Sequence, residues 1–185
     1  YYDFDGVPGH EFVGEIASGP EQGQRVVADI NIGCWQCSDC QNGRFHHCSE
    51  RSVLGIKARG GAFSEYVAIP RRNLVAVNSD TSDEIAVLAE PVAAALRIVE
   101  PFEGKLPKKA LVIGAGRLGY LVAQVLRSFE IEVLVYTRNE IRVAQLARAD
   151  LQCVDEVQAA QFPWVVDCSG SKGGLALAID AVAPR

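Results

Sequence analysis

Apolar and polar positions follow two different patterns along the chain, and the change falls near residue 88. Before it, short apolar runs alternate with Gly, Pro and Asn, which predicts short strands joined by turns. The predicted strands cover residues 12–16, 25–28, 63–69 and 74–77. We therefore expect a β-rich first domain over residues 1–88 and a different second domain over residues 89–185.

The second part alternates apolar strands with helices. Residues 110–113, 133–136 and 164–167 are apolar enough to be strands covered on both faces. Between the first two, apolar residues recur at the spacing of one helical face, from Leu118 to Phe129. Strand–helix–strand order predicts right-handed crossovers and a parallel sheet. Three strands are fewer than the six of a complete dinucleotide-binding sheet, so we expect an incomplete one.

Composition narrows the class of protein. The 185 residues are 49% hydrophobic and 22% charged, with a net charge of −5, so there is no electrostatic basis for binding nucleic acid. No apolar run approaches the ~20 residues of a membrane helix, and the first residues lack the regions of a signal peptide. These features predict a cytoplasmic protein without a membrane partner. The sequence contains no methionine, and we expect it to be the middle part of a longer chain.

Four cysteines lie within fifteen residues, at Cys34, Cys37, Cys40 and Cys48. The two-residue gaps let one short loop direct three sulfurs at a point, and the fourth follows after seven residues. Four thiolates satisfy a tetrahedral zinc ion with no free position, which indicates a structural zinc. Disulfides or buried thiols are the alternative, less favoured in a cytosolic chain. His46 and His47 could compete as ligands, although four sulfurs already fill the site.

A glycine-rich turn follows the first strand of the second domain. Gly114, Gly116 and Gly119 form a G-x-G-x-x-G motif, and Arg117 and Leu118 open the helix that follows. In this strand–turn–helix context the motif indicates a dinucleotide site. The glycines allow a tight turn, close approach of a pyrophosphate and close helix–strand packing, and the helix N-terminus offers free N–H groups.

The end of the next strand bears on the choice of nucleotide. An NAD site usually has an acidic residue there to bind the ribose 2′-hydroxyl. Here Thr137 occupies that position, Arg138 follows it, and Arg142 lies one helical turn further on. Because an arginine guanidinium can donate hydrogen bonds to a 2′-phosphate, we favour NADP(H) over NAD(H). The alternative is that both arginines are solvated surface residues.

Taken together, these segments resemble the zinc-dependent medium-chain alcohol dehydrogenases, including the polyol and threonine dehydrogenase branch. The segments include the motif around His10 and Glu11 and the helix that begins at Glu90-Pro91, and they follow one another in the same order as in that family. The matching segments are residues 9–15, 25–40, 60–70, 90–96, 111–119 and 165–171.

The resemblance implies an α/β protein with a GroES-like β-rich catalytic domain followed by a Rossmann-type parallel-sheet domain, both incomplete. It implies that His10, Glu11 and Glu90 are ligands of a catalytic zinc, and that the four cysteines hold a structural zinc. Ser169 and Gly170 match the strand end near the nicotinamide side of the cofactor. A cysteine ligand and a proton-relaying Ser or Thr, which the family carries upstream of His10, are absent from this sequence.

The resemblance further implies hydride transfer between an alcohol or polyol and a nicotinamide cofactor. The partners would be a small-molecule alcohol or carbonyl substrate and, in the full-length protein, further copies in a homodimer or homotetramer. Two other interpretations stay open: a non-catalytic zinc- and nucleotide-binding module of the same fold, and a zinc-free quinone reductase relative. The cysteine cluster and His10 argue against the reductase.

Overall fold

The computed structural model describes residues 4–102 and 104–184. The chain divides into two compact units between Glu90 and Pro91, two residues beyond the predicted domain boundary. Helix α3 (Ala89–Leu96) crosses this division. No helix among the described residues is both long and apolar enough to span a membrane.

The first unit is built from short antiparallel strands. Strands β1 (Gly14–Glu15), β2 (Arg25–Ala28) and β5 (Leu74–Ala76) form one sheet, in that order. Strands β3 (Asn31–Ile32) and β4 (Ser52–Val53) form a two-stranded ribbon, and the residues between them form a loop. The unit also contains two short α-helices, α1 (Ser38–Gln41) and α2 (Asp83–Ala86).

One predicted strand of this unit is wrong. Residues 63–69 form an irregular segment, and no ladder joins it to a strand in the described part of the chain. Val67 packs against the small core of Ile30, Val53 and Leu54, which explains the strand-like pattern. In place of a strand neighbour, the Arg59 side chain hydrogen-bonds the backbone of this segment: its guanidinium donates to the Ala68 carbonyl oxygen at 2.9 Å.

The second unit has a parallel sheet of four strands in the order β8–β7–β6–β9. The strands are β6 (Lys109–Ile113), β7 (Glu132–Tyr136), β8 (Gln152–Val154) and β9 (Val165–Asp167). The helices are α4 (Arg117–Ser128), α5 (Glu140–Arg148) and α6 (Lys172–Ala181). The sequence predicted three strands, and the structure adds β8.

The alternation of side chains along β6 covers the sheet on both faces. Ala110 and Val112 face a core that includes Val122 and Leu126 of α4. Leu111 and Ile113 face a second core, around Phe162. Successive residues of a strand point to opposite faces, so an all-apolar strand fits a sheet with layers on both sides. The sheet topology then places the ends of β6, β7 and β9 side by side.

Candidate metal and nucleotide sites

The four cysteines converge in the loop between β3 and β4. Their sulfur atoms all lie within 4.8 Å of one another. Cys34 follows β3, Cys37 and Cys40 are carried by α1 and its N-cap, and Cys48 follows a 3-10 turn over Phe45–His47. The β3–β4 pairing brings the two ends of the loop together, so that a local sequence pattern becomes a four-sulfur site.

The electrostatics of this cluster call for a cation. Backbone N–H groups of Gln36 and Cys37 donate to the Cys34 sulfur at 3.5 and 3.4 Å, and they lower the pKa of this thiol to about 6. Burial raises the pKa of Cys40 to about 12, because a lone buried thiolate is poorly solvated. All four sulfurs can therefore carry charge together only around a positive ion, and the donor set fits a structural zinc.

Packing around the loop fixes its shape. A Cβ on Gly33 would lie 2.8 Å from the Cys40 sulfur, so a larger residue would displace a ligand. Trp35 stacks on Phe45 with ring centroids 5.1 Å apart, and the Arg72 guanidinium lies 4.9 Å from the Trp35 ring. His46, a possible competing ligand, has its Nε2 3.9 Å from a carboxylate oxygen of Asp29.

A second cluster of possible metal ligands joins residues that are eighty positions apart. One ligand atom from each of His10, Glu11 and Glu90 falls within 4.8 Å of the others. Glu90 lies in the first turn of α3. His10 follows Gly9, whose φ of +102° favours glycine. A Cβ on Gly55 would lie 2.2 Å from the Gly9 carbonyl oxygen, so this turn is closely packed and holds His10 in place.

The environment of this cluster also favours a cation. Burial raises the pKa of Glu90, the nearby carboxylates of Glu11 and Asp29 raise it further, and His10 opposes them. An imidazole nitrogen and carboxylate oxygens are donor atoms found in catalytic zinc sites. The residues therefore fit the metal that the resemblance implies.

The glycine motif lies at the carboxyl end of β6, as predicted. Gly114 has φ +95°, and a Cβ there would lie 2.9 Å from the Ser169 backbone. A Cβ on Gly119 would lie 1.9 Å from the Gly114 carbonyl oxygen. Gly116, the N-cap of α4, is different, since no heavy atom of the described residues beyond its two chain neighbours lies within 4 Å of its added Cβ. The space beside Gly116 is open, so a pyrophosphate could approach its backbone closely.

A cavity of ≈ 410 Å³ adjoins this turn. Four predicted residues line it: Gly114, Thr137, Arg138 and Ser169. The sequence analysis missed Ser171 and Gly174, which also line it. The N-cap serine before α6 was the available signal, because Ser171 accepts a bond from the Gly174 N–H.

Other predicted nucleotide-binding residues lie outside the lining of this cavity. They are Gly116, Arg117, Leu118, Gly119, Arg142 and Gly170. The Arg142 guanidinium donates to the Gln145 side chain at 2.7 Å, whereas Arg138 is exposed. A cavity of ≈ 630 Å³ in the first unit lies between residues 12–18 and 64–70, and its described lining includes none of the predicted ligands.

Comparisons with known proteins identify related sequences and folds. Residues 1–79 match the family model of the alcohol dehydrogenase GroES-like domain. The L-threonine 3-dehydrogenase of Mesorhizobium japonicum is 33% identical over 182 residues, covering 94% of this chain and 52% of that protein. The chain thus spans about half the length of the curated relatives it matches.

Solved structures show the same fold. A protein described as a zinc-binding dehydrogenase from Sinorhizobium meliloti 1021, bound to NADP, superposes with a TM-score of 0.84 at 25% identity. That match covers 96% of this chain and 58% of the other. Galactitol-1-phosphate dehydrogenase of Escherichia coli gives a TM-score of 0.83 at 23% identity, over 97% and 57% of the two chains. The sequence matches and the shared fold together show that this chain belongs to the zinc-dependent medium-chain alcohol dehydrogenase family.

Proposed function

We propose that the full-length protein is a zinc-dependent oxidoreductase that transfers a hydride between an alcohol or polyol and a nicotinamide cofactor. The observation that carries this proposal is the convergence of His10, Glu11 and Glu90 in the first unit. A purely structural zinc module would need only the four cysteines. A second cluster of possible metal ligands, separate from the cysteines, is what an additional, substrate-activating zinc requires.

The chain's own residues would divide the work as follows. His10 and Glu90 would hold the metal from the Gly9 turn and from α3, and Glu11, which is exposed, would bind it or give way to solvent. When bound, zinc supplies the Lewis acidity that lowers the pKa of a substrate hydroxyl, and the nicotinamide supplies the hydride acceptor. Gly114, Gly116 and Gly119 would admit the pyrophosphate to the α4 N-terminus.

We further propose that the cofactor is NADP(H). Thr137 and Arg138 line the cavity at the end of β7, and none of its described lining residues is acidic. A ribose diol would lack the carboxylate that usually binds it. A 2′-phosphate could instead pair with the Arg138 guanidinium. The S. meliloti structure, which carries NADP, supports this choice by similarity.

The substrate class is a small alcohol, polyol or hydroxy acid, and its carbonyl product is the partner in the reverse direction. L-Threonine is the first compound to test, because several relatives at 31–37% identity are named L-threonine 3-dehydrogenase. We propose a cytoplasmic homodimer or homotetramer for the full-length protein.

Zinc content separates this function from its alternatives. The proposed enzyme contains two zinc ions per full-length chain, and a chelator that removes one of them abolishes alcohol oxidation. One tightly held zinc and no turnover would instead indicate a non-catalytic module. A chain without zinc that still reduces quinones would indicate the reductase alternative.

A further inference from the structure

The cavity beside Gly114 lies where the strand order reverses. From β6 the chain continues to β7 and β8 on one side, and it then returns to β9 on the other side of β6. Ligands of open α/β sheets bind in the crevice at such a switch point. One wall of this cavity carries Thr137 and Arg138, and the end of β9 and the start of α6 carry Ser169 and Ser171.

The two serine hydroxyls form a connected pair. Their Oγ atoms are 3.0 Å apart. Ser171 Oγ also accepts the Gly174 N–H at 3.0 Å, and Ser169 Oγ accepts the Ser171 N–H at 3.2 Å. Only one of the two hydroxyl hydrogens is used in the contact between them. The other finds no acceptor among the described residues, so the pair has one O–H to donate to a ligand.

Close packing fixes where this pair stands. A Cβ on Gly174 would lie 1.8 Å from Ser169 Oγ, so only glycine leaves room for that hydroxyl. The Ser169 N–H donates to Asp167 Oδ1 at 2.8 Å, which holds the backbone at the end of β9. The serine pair is therefore a fixed part of the cavity that Arg138 also lines.

We propose that Ser171 is a specificity-determining residue for the ribose 2′ position of the cofactor, acting together with Arg138. This inference rests on the proposed nicotinamide-cofactor function. The proposal places the end of β9 near the ribose 2′ position, whereas the family resemblance implies that Ser169 lies near the nicotinamide side. A hydroxyl that donates to a 2′-phosphate complements the charge of arginine.

Two variants of matched shape and different charge test the proposal in the full-length protein. Ser171→Asp and Ser171→Asn both keep a side-chain acceptor for the Gly174 N–H, because both residues are good N-caps. They differ only in charge. Binding is measured by calorimetry with two fragments, 2′,5′-ADP and 5′-AMP, of which only the first carries the 2′-phosphate.

We expect Ser171→Asp to bind 2′,5′-ADP at least ~10-fold more weakly than Ser171→Asn, because its carboxylate repels the phosphate. The affinities of these two variants for 5′-AMP should agree within about twofold, since that fragment lacks the group in question. Ser171→Lys should shift the ratio of the two affinities in the opposite direction. The ratio of the 2′,5′-ADP and 5′-AMP affinities is determined within each protein and then compared between variants, so a partly unfolded sample does not change it.

Equal effects of Asp and Asn on both fragments, or no effect on either, would overturn this proposal while leaving the cofactor site intact. Failure of the wild-type protein to bind either fragment would overturn the proposed nucleotide function itself, and the role of Ser171 with it.

Discussion

The candidate site residues differ in how far the sequence alone could predict their positions. Sequence spacing was enough to predict that the four cysteines cluster, because they lie close together within one loop. It was not enough for His10 and Glu90, which are brought together by the fold, and only the family resemblance paired them. Ser171 was missed because an N-cap serine is common and carries no ligand signal until a cavity is seen beside it.

The cysteine loop provides the first prediction. Cys37→Ser removes one thiolate, so zinc content should fall by about one ion per chain and the unfolding midpoint should fall with it. Atomic absorption and thermal melting measure both quantities. Cys153→Ser is the control, since this half-buried cysteine lies outside the cluster. Unchanged metal and stability in Cys37→Ser would exclude a structural zinc here.

Cofactor choice provides the second prediction. One arginine–phosphate contact contributes about 1.5–3 kcal/mol, and ~1.4 kcal/mol corresponds to tenfold in affinity. We therefore expect roughly tenfold or greater preference for NADP(H), measured as kcat/KM or as cofactor Kd.

The double variant Thr137→Asp, Arg138→Leu should reverse this preference, because aspartate repels the phosphate and accepts from the ribose diol. Arg142→Leu serves as the control, since Arg142 pairs with Gln145. A wild-type preference for NAD(H) would show that Arg138 does not contact the cofactor.

At the scale of elements, long apolar segments were predictable and short ones were not. Strands β6 and β7 and helix α4 follow the sequence pattern closely. Strand β8 has three residues, of which Cys153 and Val154 are half-buried, so its pattern is too short to detect. Residues 63–69 alternate like a strand, but Tyr66 is 78% exposed and the segment has no ladder partner among the described residues.

The turn between β6 and α4 provides the third prediction. Gly119→Ala would place a methyl group 1.9 Å from the Gly114 carbonyl oxygen, so it should lower the free energy of unfolding by about 1–3 kcal/mol or more. Gly116→Ala meets no described atom beyond its two chain neighbours within 4 Å, and its stability should stay within about 1 kcal/mol of wild type.

The two substitutions should therefore separate stability from binding. Gly116→Ala should weaken cofactor binding because its methyl group occupies the space left for the pyrophosphate. Denaturant unfolding and cofactor titration measure the two effects. Equal cofactor affinity in Gly116→Ala and wild type would place the pyrophosphate elsewhere.

For the whole molecule, sequence order predicted a parallel sheet but not the neighbours of each strand. The position of β9 beside β6 creates the switch-point cavity, and it depends on a return of the chain that no local pattern encodes. The first unit likewise brings His10, Glu11 and Glu90 together through its tertiary structure and not through a local pattern. The central claim is that this second cluster is a catalytic metal site.

The most direct test is the zinc content and turnover of His10→Ala in the full-length protein. Lewis-acid activation contributes several kcal/mol, so alcohol oxidation should fall about a thousandfold. The variant should lose one of two zinc ions, and its cofactor Kd should stay within about twofold of wild type because the nucleotide site lies in the second unit. A variant that keeps its turnover after losing that zinc would contradict the account.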